Sequence, residues 1–188
     1  MSGFRQLATA KGRGPMRRLC VTLLVWVSVG AGVTVVRAAE ELDDAYVKAA
    51  FIYNFAKFTQ WPDAKAGRLT VGVIGRTSIN GVLRTIINGK AVTGRELVVR
   101  ETSAKADDLR AFHIIFVPVS EASRVAAIVE RVAGAAVLTV GDSEHFLQDG
   151  GIVQFYIREN HVRFQIDADA ASQAGLKISS QLLSLAKQ

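Results

Sequence analysis

The chain has one cysteine among 188 residues, and it sits at position 20. The first 38 residues contain no acidic side chain at all. Arg17 and Arg18 precede an apolar run from Leu19 to Val36, and Val36-Arg37-Ala38 puts small residues at the minus-three and minus-one positions of a cleavage site after Ala38. This pattern is expected of a secretory signal peptide over residues 1–38, with Met16 a better start than Met1 and the periplasm as destination. The competing reading is an uncleaved membrane anchor, since the run is close to a spanning length. If cleavage occurs, Cys20 leaves with the leader. The exported body, residues 39–188, then has no disulfide, no thiol for redox sensing and no cysteine ligand for a metal.

A net positive charge is equally absent from the body once the leader is set aside. The whole chain carries 23 Lys+Arg against 17 Asp+Glu, but six of the basic residues precede position 39, which leaves 17 against 17. The basic pI therefore says nothing about nucleic acid, and no nucleic-acid partner is expected. No repeat, low-complexity tract or long linker divides the body, so one α/β domain is expected.

What is present reads as strands alternating with helices. Residues 43–61 (DDAYVKAAFIYNFAKFTQW) predict a helix that stops at Trp61-Pro62, with Val47, Ala50, Phe51, Asn54, Phe55 and Phe58 at helical spacing. Its aromatics spread beyond one stripe, so some rings wrap under a neighbouring element or meet a partner. Buried strands are predicted over Arg68 to Gly75, Glu96 to Arg100, Phe112 to Val117 and Ala136 to Val140. Helices are predicted from Ile79 to Asn88 and, capped by Ser120, on to Val132. Ile152 to Ile157 and Val162 to Ile166 form a hairpin about the polar turn Arg158-Glu159-Asn160-His161, with Phe155, Ile157, Val162, Phe164 and Ile166 on one side. Asp167 or Asp169 caps a short helix closed by Gly175, and a last segment puts Ile178, Leu182, Leu183 and Leu185 on one stripe. Crossovers of this length imply a single layered domain with a mostly parallel mixed sheet, flanked by helices and finished by a C-terminal antiparallel hairpin.

Candidate chemistry is sparse. Val71-Gly72-Val73-Ile74-Gly75 ends a strand before a helix, but Arg76-Thr77 stands where a dinucleotide fingerprint needs its second glycine, so no nucleotide cofactor is expected. His113, His145 and His161 lack ligand spacing, so no metal is expected, and His113 in the most apolar strand reads as a core imidazole. Asp142, Ser143 and His145 gather a carboxylate, a hydroxyl and an imidazole after a strand; a strand-to-helix turn with a cap is the plainer reading, and no catalytic residue is assigned. The hairpin's other side carries His161, Arg163, Gln165 and Asp167, where Arg163 can hold an anionic group in bidentate fashion.

The stretches Lys48 to Pro62 (KAAFIYNFAKFTQWP), Val140-Gly141-Asp142-Ser143, Gly150 to Phe155 (GGIVQF), Val162 to Asp167 (VRFQID) and Gly175 to Leu183 (GLKISSQLL) occur in an order that closely resembles the YfiR family of bacterial periplasmic proteins. The resemblance implies a non-enzymatic α/β domain that often dimerises. It implies a repressor that binds the periplasmic sensor region of an inner-membrane diguanylate cyclase, keeps cyclic-di-GMP low, and is itself removed by an outer-membrane lipoprotein. The family's best-known member has disulfides linked to redox state, which the body of this chain cannot form. Tyr53, Trp61, Arg163 and Gln165 are the expected partner-binding residues. A periplasmic small-molecule-binding module built around Arg163 remains the alternative, and a hydrolase on Asp142, Ser143 and His145 comes last.

Overall fold

The computed structural model describes residues 41–62 and 67–186, so the expected leader lies outside the described residues. Helix α1 covers residues 41–58. Its inward stripe is Ala45, Ala49, Ile52, Phe55 and Ala56, all buried at three- and four-residue spacing. The helix stops at Phe58, short of the expected Trp61, because Thr59–Gln60 (β1) pair antiparallel with Lys177–Ile178 (β9). Ser179 N donates to Phe58 O at 2.9 Å and helps hold that junction.

Next come β2 (Leu69–Ile74), α2 (Ser78–Ile86), β3 (Ala91–Val92), β4 (Arg95–Thr102), β5 (Ile114–Val117), α3 (Val125–Val132) and β6 (Leu138–Gly141). The chain ends in β7 (Val153–Arg158), β8 (His161–Ile166), α4 (Ala168–Gln173), β9 and α5 (Ser180–Leu185). The main sheet has seven strands in the order β3-β4-β2-β5-β6-β7-β8. The run from β4 to β7 is parallel, and β3 and β8 are antiparallel edges. This is the expected α/β domain with a mostly parallel mixed sheet and a terminal hairpin.

Strand alternation divides the sheet into two apolar faces. Val71, Val73, Ile114, Phe116, Leu138, Val140, Val153, Phe155, Val162 and Phe164 belong to the core under α1 and α2. Ile74, Ile115 and Val117 belong to a second core with Phe112, Phe146 and the α3 residues Val125, Ile128 and Val132. Four rings join the ends of the chain on the first face. Phe51 lies 4.9 Å from Phe164 and 6.1 Å from Phe155, and Phe55 lies 5.1 and 5.7 Å from the same two rings.

Several expectations need correction. Ser120 is not a helix cap: residues Val119–Arg124 form a 3-10 turn after Pro118, and α3 begins only at Val125. No helix follows Gly141 to Ser143; residues 144–150 are turns that wrap Phe146 under the sheet. The hairpin turn is tighter than expected, two residues long, with Glu159 and Asn160 both at positive φ. Ile178 belongs to β9 and Leu185 is exposed, so of the expected C-terminal stripe only Leu182 is fully buried. Asp167 is the cap of α4, its Oδ1 accepting from Ala170 N at 2.8 Å. Among the described residues no helix is long and apolar enough to cross a membrane.

Phe146 fits only because Gly141 and Gly151 have no side chains; a Cβ on either would lie 2.2 Å from its ring. Gly141→Ala should therefore cost about 1–3 kcal/mol by overpacking. Urea unfolding should show that penalty largely removed when Phe146→Ala is made in the same chain, because the three atoms nearest a Cβ at 141 are all on that ring.

Candidate functional site

Strand alternation decides where the four expected partner-binding residues fall. Phe164 points to α1, so its neighbours Arg163 and Gln165 point away from it, to the opposite side of the sheet. Arg163 is half-buried opposite Tyr156, and Gln165 is exposed opposite Gln154. Tyr156, Arg158, Gln165 and Leu183 line an open cleft of about 540 Å³ on this part of the molecule. The polar end of the hairpin is thus exposed, while Gln154 nearer the centre turns inward, its Nε2 donating to Glu144 O at 2.8 Å.

Tyr53 and Trp61 belong to α1 and the segment after it, so the structure brings Arg163 and Gln165 together but does not bring Tyr53 and Trp61 to them. Tyr53 is half-buried with Lys57 and Lys90 ammonium groups 5.7 and 5.2 Å from its ring. Trp61 donates its indole N–H to His113 O at 3.2 Å and meets the His113 ring edge-on at 5.7 Å. His113 is buried, as expected of a core imidazole. Its Nδ1 lies 3.1 Å from Thr70 N and its Nε2 lies 2.8 Å from Arg95 Nη2. Burial holds the Arg95 guanidinium below its usual pKa. Trp61 therefore clasps the end of α1 to the start of β5.

The residues around Asp142 do not assemble a nucleophile. Ser143 Oγ is buried and makes no hydrogen bond, while His145 is exposed. The Asp142 carboxylate is engaged elsewhere: Oδ2 accepts from Lys48 Nζ at 2.7 Å and Oδ1 accepts from Val119 N at 2.6 Å. This pair ties α1 to the ends of β5 and β6, with both side chains largely buried. No role was expected of Lys48, because the stripe read from the sequence (Val47, Ala50, Phe51, Asn54, Phe55, Phe58) passes it by. The stripe that is buried runs through Ala45, Ala49 and Ile52, leaving Val47 and Ala50 exposed, and Lys48 lies on that buried face. Among the described residues no group of three or more His, Cys, Asp or Glu is placed to hold a metal ion.

Beside the pair, a cleft of about 420 Å³ opens at the carboxyl ends of β2 and β5. Glu41 and Asp44 come to it from α1, Arg76 and Ser78 from the start of α2, and Ser120 from the turn after β5. A second groove of about 420 Å³ runs between Val47 on α1 and Ile157, His161 and Val162 of the hairpin. Leu42, Tyr46, Val47 and Ile157 are the large exposed apolar residues of this end.

A family described as YfiR/HmsC-like matches residues 45–187. No curated protein matches. Among solved structures, a conserved domain protein from Vibrio cholerae O1 biovar El Tor str. N16961 is similar at 14% identity, over 62% of this chain and 53% of that one, with a TM-score of 0.48. The chain thus spans about half the length of that protein.

Removing the Asp142 carboxylate strands an ammonium group and a backbone amide together. Asp142→Ala should cost about 3 kcal/mol, the scale for breaking a buried pair from one side. Denaturant unfolding of Asp142→Ala, Lys48→Met and the double variant should show the double losing less than the sum of the singles.

Proposed function

The chain belongs to the YfiR/HmsC-like family, and on that premise we propose that it is a periplasmic regulatory protein that binds the outer domain of an inner-membrane signalling protein. The proposed target is a diguanylate cyclase whose activity it represses, lowering cyclic-di-GMP. An outer-membrane lipoprotein that competes for the regulator would relieve the repression. The family match over residues 45–187 is the observation that carries this reading. The unassembled Asp142, Ser143 and His145 group supports action by contact over hydrolysis at that position.

Repression by contact requires a difference in affinity. The regulator must bind the inactive arrangement of the receptor's outer domain more tightly than the active one, since equal affinity shifts nothing. The proposed contact is the side of β7 and β8 away from α1, at its exposed end, with Arg163 pairing with a carboxylate and Gln165 hydrogen-bonding beside it. Tyr53 and Trp61, across the sheet, would belong to a separate contact.

Deleting the protein from its host should raise cyclic-di-GMP, and restoring it should reverse the rise. Arg163→Glu should fold with an unchanged thermal midpoint but capture the membrane partner roughly tenfold or more weakly. Unaltered cyclic-di-GMP on deletion would sink the regulatory reading. Unaltered capture by Arg163→Glu would remove only the proposed contact.

A further inference from the structure

The cleft beside Lys48 and Asp142 sits at a special place in the sheet. From β2 the chain turns through α2 to β4 on one side, whereas from β5 it turns through α3 to β6 on the other. The helices leave on opposite faces, α2 joining the core under α1 and α3 joining the second core. The gap between the carboxyl ends of β2 and β5 is thus a topological switch point, the position at which open α/β sheets hold ligands.

The charges around this gap are segregated by element. Lys48 and Asp142 neutralise one another at 2.7 Å. On the α2 side, the Arg76 side chain is 91% exposed and tied at Nε alone, to Glu101 at 3.0 Å. Ser78 and Ile79 line that wall at the positive start of α2, where the Thr77 and Asn80 amides are already engaged within the cap, Thr77 N with Asn80 Oδ1 and Asn80 N with Thr77 O, both at 3.2 Å. On the α1 side, Glu41 and Asp44 face the gap, and among the described residues neither carboxylate is paired. Ala45, Ile79, Phe116, Pro118 and Val119 supply apolar lining between the two walls.

We propose that this cleft binds a small dipolar molecule that carries a carboxylate and an ammonium group separated by a short aliphatic chain. Its anionic end lies against Arg76 and the start of α2, and its cationic end lies against Glu41 and Asp44. A simple anion would gain the donor wall but meet two carboxylates, and a simple cation would meet Arg76 and the positive end of α2. Only a molecule with both charges pairs with both walls, and a cleft of about 420 Å³ is of small-ligand size. The site is separate from the Arg163 contact, so either can fail without the other.

Isothermal titration calorimetry of the purified protein against 4-aminobutyrate and 6-aminohexanoate tests it, with hexanoate and hexylamine as single-charge controls. At least one of the two dipolar probes should bind and raise the thermal midpoint, and neither control should match it. Arg76→Ala and Asp44→Asn should each weaken the bound probe roughly tenfold, the scale of one lost charge-assisted contact. Both variants should keep the unliganded thermal midpoint, which separates lost binding from lost folding. Absence of binding by both probes, equal binding of hexanoate or hexylamine, or undiminished binding by both variants would each overturn the proposal.

Discussion

Four phenylalanine rings hold the two ends of this domain together. Phe51 and Phe55 on α1 meet Phe155 on β7 and Phe164 on β8 with centroids 4.9 to 6.1 Å apart. Each such ring buries a large apolar area, and loss of one typically costs about 3–5 kcal/mol, a large share of a domain's net stability. β8 is an edge strand with only β7 beside it in the sheet, so covering by α1 is what gives its apolar side a core to join. The first helix is in this sense part of the last hairpin's fold.

That joint divides the surface. α1 occupies the Phe164 side of β8, and on the other side Gln165 is exposed and Arg163 half-buried. Trp61 and the Lys48–Asp142 pair bind α1 at two further places, to the start of β5 and to the ends of β5 and β6. With its inward stripe, its end and its one buried lysine committed, α1 offers a partner only its outer residues, Leu42, Tyr46 and Val47 among them. The same fastening places Glu41 and Asp44 opposite Arg76 at the switch-point cleft.

Much of this was legible in the sequence wherever a pattern runs longer than the error in reading it. The apolar run 114–117 and the alternation around Phe155 and Phe164 point to strands by their own chemistry, and the helices between them imply a parallel sheet. Two-residue pairings such as β1 with β9, or β3 with β4 about Thr93-Gly94, are too short to have a period, and they were missed. Ser120 and the turn at Ser143 were misread for another reason. A hydroxyl or carboxylate after a strand suits a helix cap, but Asp142 is drawn instead to Lys48, 94 residues away, and to the amide of Val119. The cleft was illegible for a similar reason, since its walls come from segments far apart in the chain. Arg163 and Gln165 were readable as neighbours because strand alternation alone places them side by side.

The most direct test of the aromatic joint is native-state hydrogen exchange at increasing denaturant. If α1 and the hairpin are one cooperative unit, the slowest amides of residues 45–58 and of β7 and β8 should converge on the same opening free energy. A separate, lower-energy opening of α1, with β7 and β8 still protected, would contradict the account and return the helix's inner face to the surface available for partners.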